Sequence, residues 1–183
     1  DMAGSQAVLK KQKQLGVKID AYQALCTQFD DTLTRIEIAE EMGDESVLDE
    51  VLANVDQIEN TIQTQRLATL LTGEYDSNSA ILTFHAGAGG TEAQDWVQML
   101  YRMCTRGAER HGYKYKVLDY LAGDEAGIKS ASILIEGLNC YGYLRSEAGV
   151  HRLVRVSHFD SSGRRHTSFA SLEVMPEIEE DTE

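Results

Sequence analysis

Apolar side chains at Leu9, Leu15, Ile19, Tyr22, Leu25, Phe29, Leu33 and Ile36 recur mostly at steps of three or four. That spacing draws one stripe along a long helix over residues 2–40. Met42-Gly43-Asp44 interrupts it, with Gly43 suited to a C-cap and Asp44 or Ser46 to the next N-cap. A second stripe follows at Leu48, Val51, Leu52, Val55, Ile58, Ile62 and Leu67. Two long amphipathic helices joined by a short turn predict an antiparallel hairpin, the core of a small bundle with its acids in solvent.

From Thr72 to Ser79 the chain turns polar and the period changes, which places a domain boundary between an acidic helical domain at 1–72 and a second domain at 73–183. Ala80 to Phe84 predicts a strand. Thr91 is the expected N-cap of a helix reaching about His111, with Gln94 at capping-box spacing, and Gly112 ends it. Alternation over 113–121 and 127–136 predicts two further strands, with Ile128, Ala131, Ile133 and Ile135 as candidates to share a face. Residues 141–144, 153–156 and 167–175 supply more strand or short-helix pieces. The fold class is therefore α+β, a long-helix hairpin followed by a mostly antiparallel sheet with a covering helix.

Composition narrows the function. No apolar run approaches the roughly 18 residues of a membrane span. Cys26, Cys104 and Cys140 are far apart with no CxxC pair, which predicts free thiols and no zinc site. No cofactor is expected. The chain begins at Asp1 without a methionine, so a transit peptide or other targeting segment is expected to have been removed.

The net charge of −13 seems to oppose a nucleic-acid partner. Its distribution does not. Acids crowd residues 30–60 and 173–183, whereas Arg145, Arg152, Arg155, Arg164 and Arg165 face only Glu147 and Asp160 between Leu144 and His166. His151, His158 and His166 fall there too. A basic island on an acidic body can guide an RNA to one face. The acidic helices offer a surface to a protein partner.

Two blocks carry the candidate chemistry. In His85-Ala-Gly-Ala-Gly-Gly-Thr-Glu-Ala-Gln-Asp95, Gly87, Gly89 and Gly90 allow a tight turn that exposes N–H groups at a helix N-terminus, which suits a phosphate or a base edge. Glu92 can accept a hydrogen bond from a base imino group. The dinucleotide fingerprint does not fit, because its third glycine is absent. In the loop from Ser157 to Thr167, His166 can stack on a base, Ser157 and Thr167 can bond base edges, and Arg164 and Arg165 can hold phosphates. The same residues also suit a plain strand-to-helix turn and a solvated hairpin loop, so both readings stay open. No nucleophile–base–acid set is visible, and no enzyme activity is expected of the chain.

At these blocks the sequence resembles the bacterial-type class I peptide chain release factors, in the branch that reads UGA and UAA. The resemblance runs through Gly73-Glu-Tyr-Asp76, His85 to Trp96, Gly123-Asp-Glu-Ala-Gly-Ile-Lys-Ser130, Gly149-Val-His-Arg-Leu-Val-Arg155 and Gly163-Arg-Arg-His-Thr-Ser-Phe169. It implies that residues 1–72 are that family's first domain and the rest its decoding domain. It also implies that Gly89, Gly90 and Glu92 meet the uridine opening a stop codon, that His166 wedges between codon bases, and that Thr167 contacts the third base.

Three departures stand out. Where this branch carries Ser-Pro-Phe, the chain reads Ser157-His158-Phe159, which frees a backbone φ and adds a stackable ring. The family's Gly-Gly-Gln motif, which promotes peptidyl-tRNA hydrolysis, is absent: the only Gly-Gly pair, Gly89-Gly90, is followed by Thr91. Gly107 stands where the family commonly has tryptophan. The first two are similar to a divergent plant chloroplast member that binds and stabilises a plastid messenger RNA. The resulting expectation is a release-factor-derived protein of the chloroplast stroma that binds a uridine-containing single-stranded mRNA. Its contacts would be Gly89, Gly90, Glu92, Ser157, His158, Phe159, Arg164, Arg165, His166 and Thr167. The alternative is a genuine release factor acting with the ribosome, in a bacterial cytoplasm or mitochondrial matrix, with its Gly-Gly-Gln domain outside this chain.

Overall fold

The computed structural model describes residues 2–178. They form two compact units that divide between Leu70 and Leu71.

The first unit is a helical hairpin of α1 (Met2–Met42) and α2 (Leu48–Thr69). Gly43, at φ +62°, ends α1, and the N–H of Asp44 reaches back to the carbonyl of Ala39 at 3.0 Å. Asp44 then caps the next turn by accepting from the Ser46 N–H at 2.9 Å. Arg35 pairs with Glu50 across the helices, and Gln65 donates to the Ala21 carbonyl at 3.2 Å. Two helices cannot enclose a full stripe. Only Val51, Ile58 and Thr32 are buried among the described residues, while Leu33, Leu52, Val55 and Ile62 of the predicted stripes stay exposed.

The second unit is a five-stranded, wholly antiparallel sheet covered on one face by a helix. In chain order it contains β1 (Ala80–Ala86), α3 (Thr91–Arg110), β2 (Lys114–Ala122), β3 (Ile128–Glu136), the single-turn α4 (Cys140–Leu144), β4 (Gly149–Val156) and β5 (Arg165–Pro176). The strand order is β2-β3-β1-β5-β4, so β1 lies at the centre, between β3 and β5. Alternation does the sorting: Leu82, Phe84, Ile133, Ile135, Ala170 and Leu172 turn to one face and meet Val97, Leu100, Cys104 and Ala108 of α3. Ile128, Ala131, Ile133 and Ile135 are all buried, as the pattern predicts for one inward set. Each of the larger side chains contributes about 1.5–3 kcal/mol on leaving water. Residues 141–144, read from sequence as strand or short helix, are helical. No helix among the described residues is long and apolar enough to cross a membrane.

Candidate nucleic-acid interface

The glycine turn after β1 is stitched to β5. The Gly87 N–H donates to the Phe169 carbonyl at 2.9 Å, and the Phe169 N–H donates to the Ala88 carbonyl at 3.0 Å. Glycine is required here by close approach. A Cβ on Gly87 would stand 2.9 Å from the Phe169 oxygen, and one on Gly89, at φ +136°, would stand 2.8 Å from Ser168 Oγ. The two sequence blocks are thus one surface.

Helix α3 opens differently from expectation. The N-cap is Gly90, at φ +59° and ψ −135°, with no side-chain cap bond. Thr91 is already helical, and its hydroxyl donates to Glu125 at 3.0 Å. A glycine-only backbone conformation at the cap leaves a side-chain cap no place. The Gly90 carbonyl takes the N–H groups of Ala93 and Gln94, whereas those of Thr91 and Glu92 have no partner among the described residues. Two donors therefore remain at the positive end of the helix dipole.

Glu92 is buried, at 4% exposure, and its carboxylate is turned into the protein. One oxygen accepts from Arg155 Nε; the other accepts from Ser157 Oγ at 2.7 Å. Arg155 also grips Asp95, one turn along α3. Burial alone would raise the Glu92 carboxyl, but the hydrogen bonds from Arg155 and Ser157 and the guanidinium charge hold it below its usual range. In this way the Glu92 carboxylate locks the helix tip to the loop at 157–164.

That loop has its own frame. Ser157 N–H donates to the Arg164 carbonyl at 3.2 Å, and Ser157 Oγ accepts from the Phe159 N–H at 3.1 Å. Asp160 gathers the rest: it accepts from the Ser162 N–H at 2.9 Å, from Arg164 Nε at 2.8 Å and from His166 Nε2 at 2.7 Å. These three donors, His166 foremost, hold the Asp160 carboxyl well below the usual carboxylate range. His158 takes no part. Neither its N–H nor its ring makes a hydrogen bond among the described residues, so no bond of the frame depends on it.

The structure therefore brings Gly89, Gly90, Glu92, Ser157, His166 and Arg164 into one neighbourhood, with His158 and Phe159 exposed on its rim. Thr167 and Arg165 alternate to the opposite side of β5 from His166 and Ser168. The basic island is also less free than its composition suggests. Arg145 pairs with Asp76, Arg155 with Glu92 and Asp95, and Arg164 with Asp160, which leaves Arg152 and Arg165 without an ion pair among the described residues. Sequence reasoning did not assign Asp160 or Arg155 a place in the site. The signal for Asp160 was its Asp-Ser-Ser-Gly turn; for Arg155, a pairing across about 60 residues, there was none. No group of His, Cys, Asp and Glu among the described residues could hold a metal.

Known proteins resemble this chain in sequence and in fold. The family model described as the PCRF domain matches residues 1–172. The chain is 50% identical over 180 residues to peptide chain release factor 2 of Lactiplantibacillus plantarum, covering 98% of this chain and 48% of that protein. It is 48% identical over 183 residues to peptide chain release factor 2 of Nautilia profundicola, covering 100% of this chain and 50% of that protein. A solved structure of RF2 of Thermus thermophilus superposes with a TM-score of 0.64 at 46% identity, over 86% of this chain and 46% of that one. The chain spans about half the length of the curated relatives it matches.

Proposed function

The chain belongs to the class I peptide chain release factor family, and on that premise we propose that it is the stop-codon-reading half of a translation-terminating factor of the UGA and UAA branch. It supplies recognition; a Gly-Gly-Gln-bearing remainder of the full-length protein supplies hydrolysis of peptidyl-tRNA on the ribosome. The observation that carries this reading is the Glu92–Ser157 contact, which sets the free N–H groups at the tip of α3 beside the hairpin bearing His166. Such a surface offers backbone donors to a uridine edge and an imidazole to stack on an unpaired base, with Thr167 next along β5 on that strand's other face.

The relatives described above are bacterial proteins named peptide chain release factor 2, which favours termination in a bacterial cytoplasm over the stabilisation of a plastid messenger RNA. The His158 departure does not favour the latter either, since the loop's hydrogen bonds bypass that residue. The test is peptide release by the full-length protein from ribosomes programmed with each stop codon. Release at UGA and UAA but not at UAG supports the proposal. Absence of release at all three, with tight ribosome-free binding to a single-stranded RNA, overturns it.

A further inference from the structure

We propose that the recess beside Gly107 is a binding site for a small, neutral, planar aromatic molecule of indole size that carries one N–H donor. The site lies about 22 Å along α3 from the Glu92 tip, fifteen residues at 1.5 Å each, and does not depend on codon reading.

Gly107 sits inside α3 with an ordinary helical backbone, and a Cβ there would meet nothing within 4 Å. Neither a left-handed conformation nor a close backbone approach requires the glycine, yet it weakens a helix interior. What it leaves is space. A cavity of about 330 Å³ opens at this point, between the last turns of α3, the turn before β2 and the segment 143–147, lined by Met103, Cys104, Tyr113, Tyr143 and Glu147 among others. That volume lies at the small-molecule end of ligand sites.

The lining specifies the ligand. The rings of His111 and Tyr113, stacked on each other at 5.9 Å with 19° between planes, both border the recess. His111 is held in place by its Nδ1–H, which donates to the Gly107 carbonyl at 2.8 Å. Cys104 is buried at 6% exposure, and burial with the nearby Glu147 charge pushes its thiol up to about 12, so that side of the recess is an uncharged S–H. Met103 adds a thioether, which packs well on ring edges. Two opposite charges, Glu147 and Arg110, also line the recess, so neither a cation nor an anion is favoured. The Glu147 carboxylate, exposed at the rim, makes no ion pair or hydrogen bond among the described residues and can accept an N–H from a bound molecule.

Indole itself is the probe. Titrated into the protein and followed by thermal shift and ligand-observed NMR, it should bind saturably and raise the melting temperature. N-methylindole, which lacks the donor, should bind about tenfold more weakly, and Glu147→Gln should narrow that difference. Gly107→Trp places an indole of the chain's own in the recess and should abolish the response; Gly107→Leu serves the same purpose if the tryptophan variant does not fold. No saturable binding at millimolar indole overturns the proposal. So does binding that persists in the filled variants, which would place the indole elsewhere.

Discussion

Ser157 Oγ donates to Glu92 Oε2 across 2.7 Å, joining two residues 65 positions apart and fixing the β4–β5 loop to the tip of α3. Because the acceptor is a buried carboxylate, the bond is charge-assisted, and little else can replace it. The helix tip and the loop are thus held together by a contact that is not itself aimed at a ligand.

Ser157→Ala removes that donor and leaves a buried oxygen of Glu92 without its partner. Unfolding by urea should show a loss of about 1–3 kcal/mol. A change below about 0.5 kcal/mol would mean that solvent already satisfies the carboxylate.

Arg155→Met breaks the other half of the contact and strands a charge. The expected cost is about 2–4 kcal/mol, below that of a fully buried pair because the Arg155 side chain keeps 21% exposure. Glu92→Gln in the same protein should recover part of it. Strictly additive losses in the double-mutant cycle would show that the two do not interact.

The pH dependence has a definite sign. Glu92 is held below its ordinary value of 4.5 when folded, so its contribution to stability is fully present above that value and is lost as pH falls through the lowered folded one. Stability should therefore decline below about pH 4.5, and Glu92→Gln should flatten that decline in denaturation series at several pH values. A decline of unchanged slope in the variant would assign it to other carboxylates.

Gly89→Ala should destabilise by about 1–3 kcal/mol, since the residue holds φ +136° and a methyl would stand 2.8 Å from Ser168 Oγ. Ser168 offers the converse. Its hydroxyl is buried at 1% exposure without a hydrogen-bond partner, so Ser168→Ala should leave stability unchanged or raised. A clear loss on calorimetry would mean that the hydroxyl is bonded after all.

His158→Pro should fold as well as the parent, because no hydrogen bond is lost with the N–H; a gain of up to about 1 kcal/mol is in reach. In release assays of the full-length protein, the same change should sharpen discrimination between UGA and UAG. A destabilised variant would show that the backbone at 158 does not accept proline.

The elements of the second unit could be read from periodicity because each strand buries one face against a single helix, so alternation at Ile133, Ile135 and Leu82 carries direct information. The helical hairpin was equally legible as helices but not as a core, since two helices leave most of both stripes uncovered. The cap of α3 was misread: Thr91-x-x-Gln94 has capping spacing, but the φ +59° of Gly90 is a backbone property that a pattern of side chains does not display. Nothing local in the sequence reveals Arg155 from β4, and Ser157 from the loop after it, folding over Glu92. Long-range ion pairs of that kind also hid how few of the arginines stay free.

The placement of β1 at the centre of the sheet has a consequence for synthesis. Its register with β5 pairs Ala80 with Pro176 and Ala86 with Ala170, so one flank of the central strand waits for roughly 90 more residues to be made. At ribosomal rates that is roughly 5–20 seconds. During that interval β1, β2, β3 and α3 can assemble from local partners, but the edge of β1 that β5 will take, with Leu82 and Phe84 in that strand, has only α3 to shield it. The nascent chain therefore carries an open, apolar strand edge until β5 closes it, and it is most prone to misassociation just before residue 176 clears the exit tunnel.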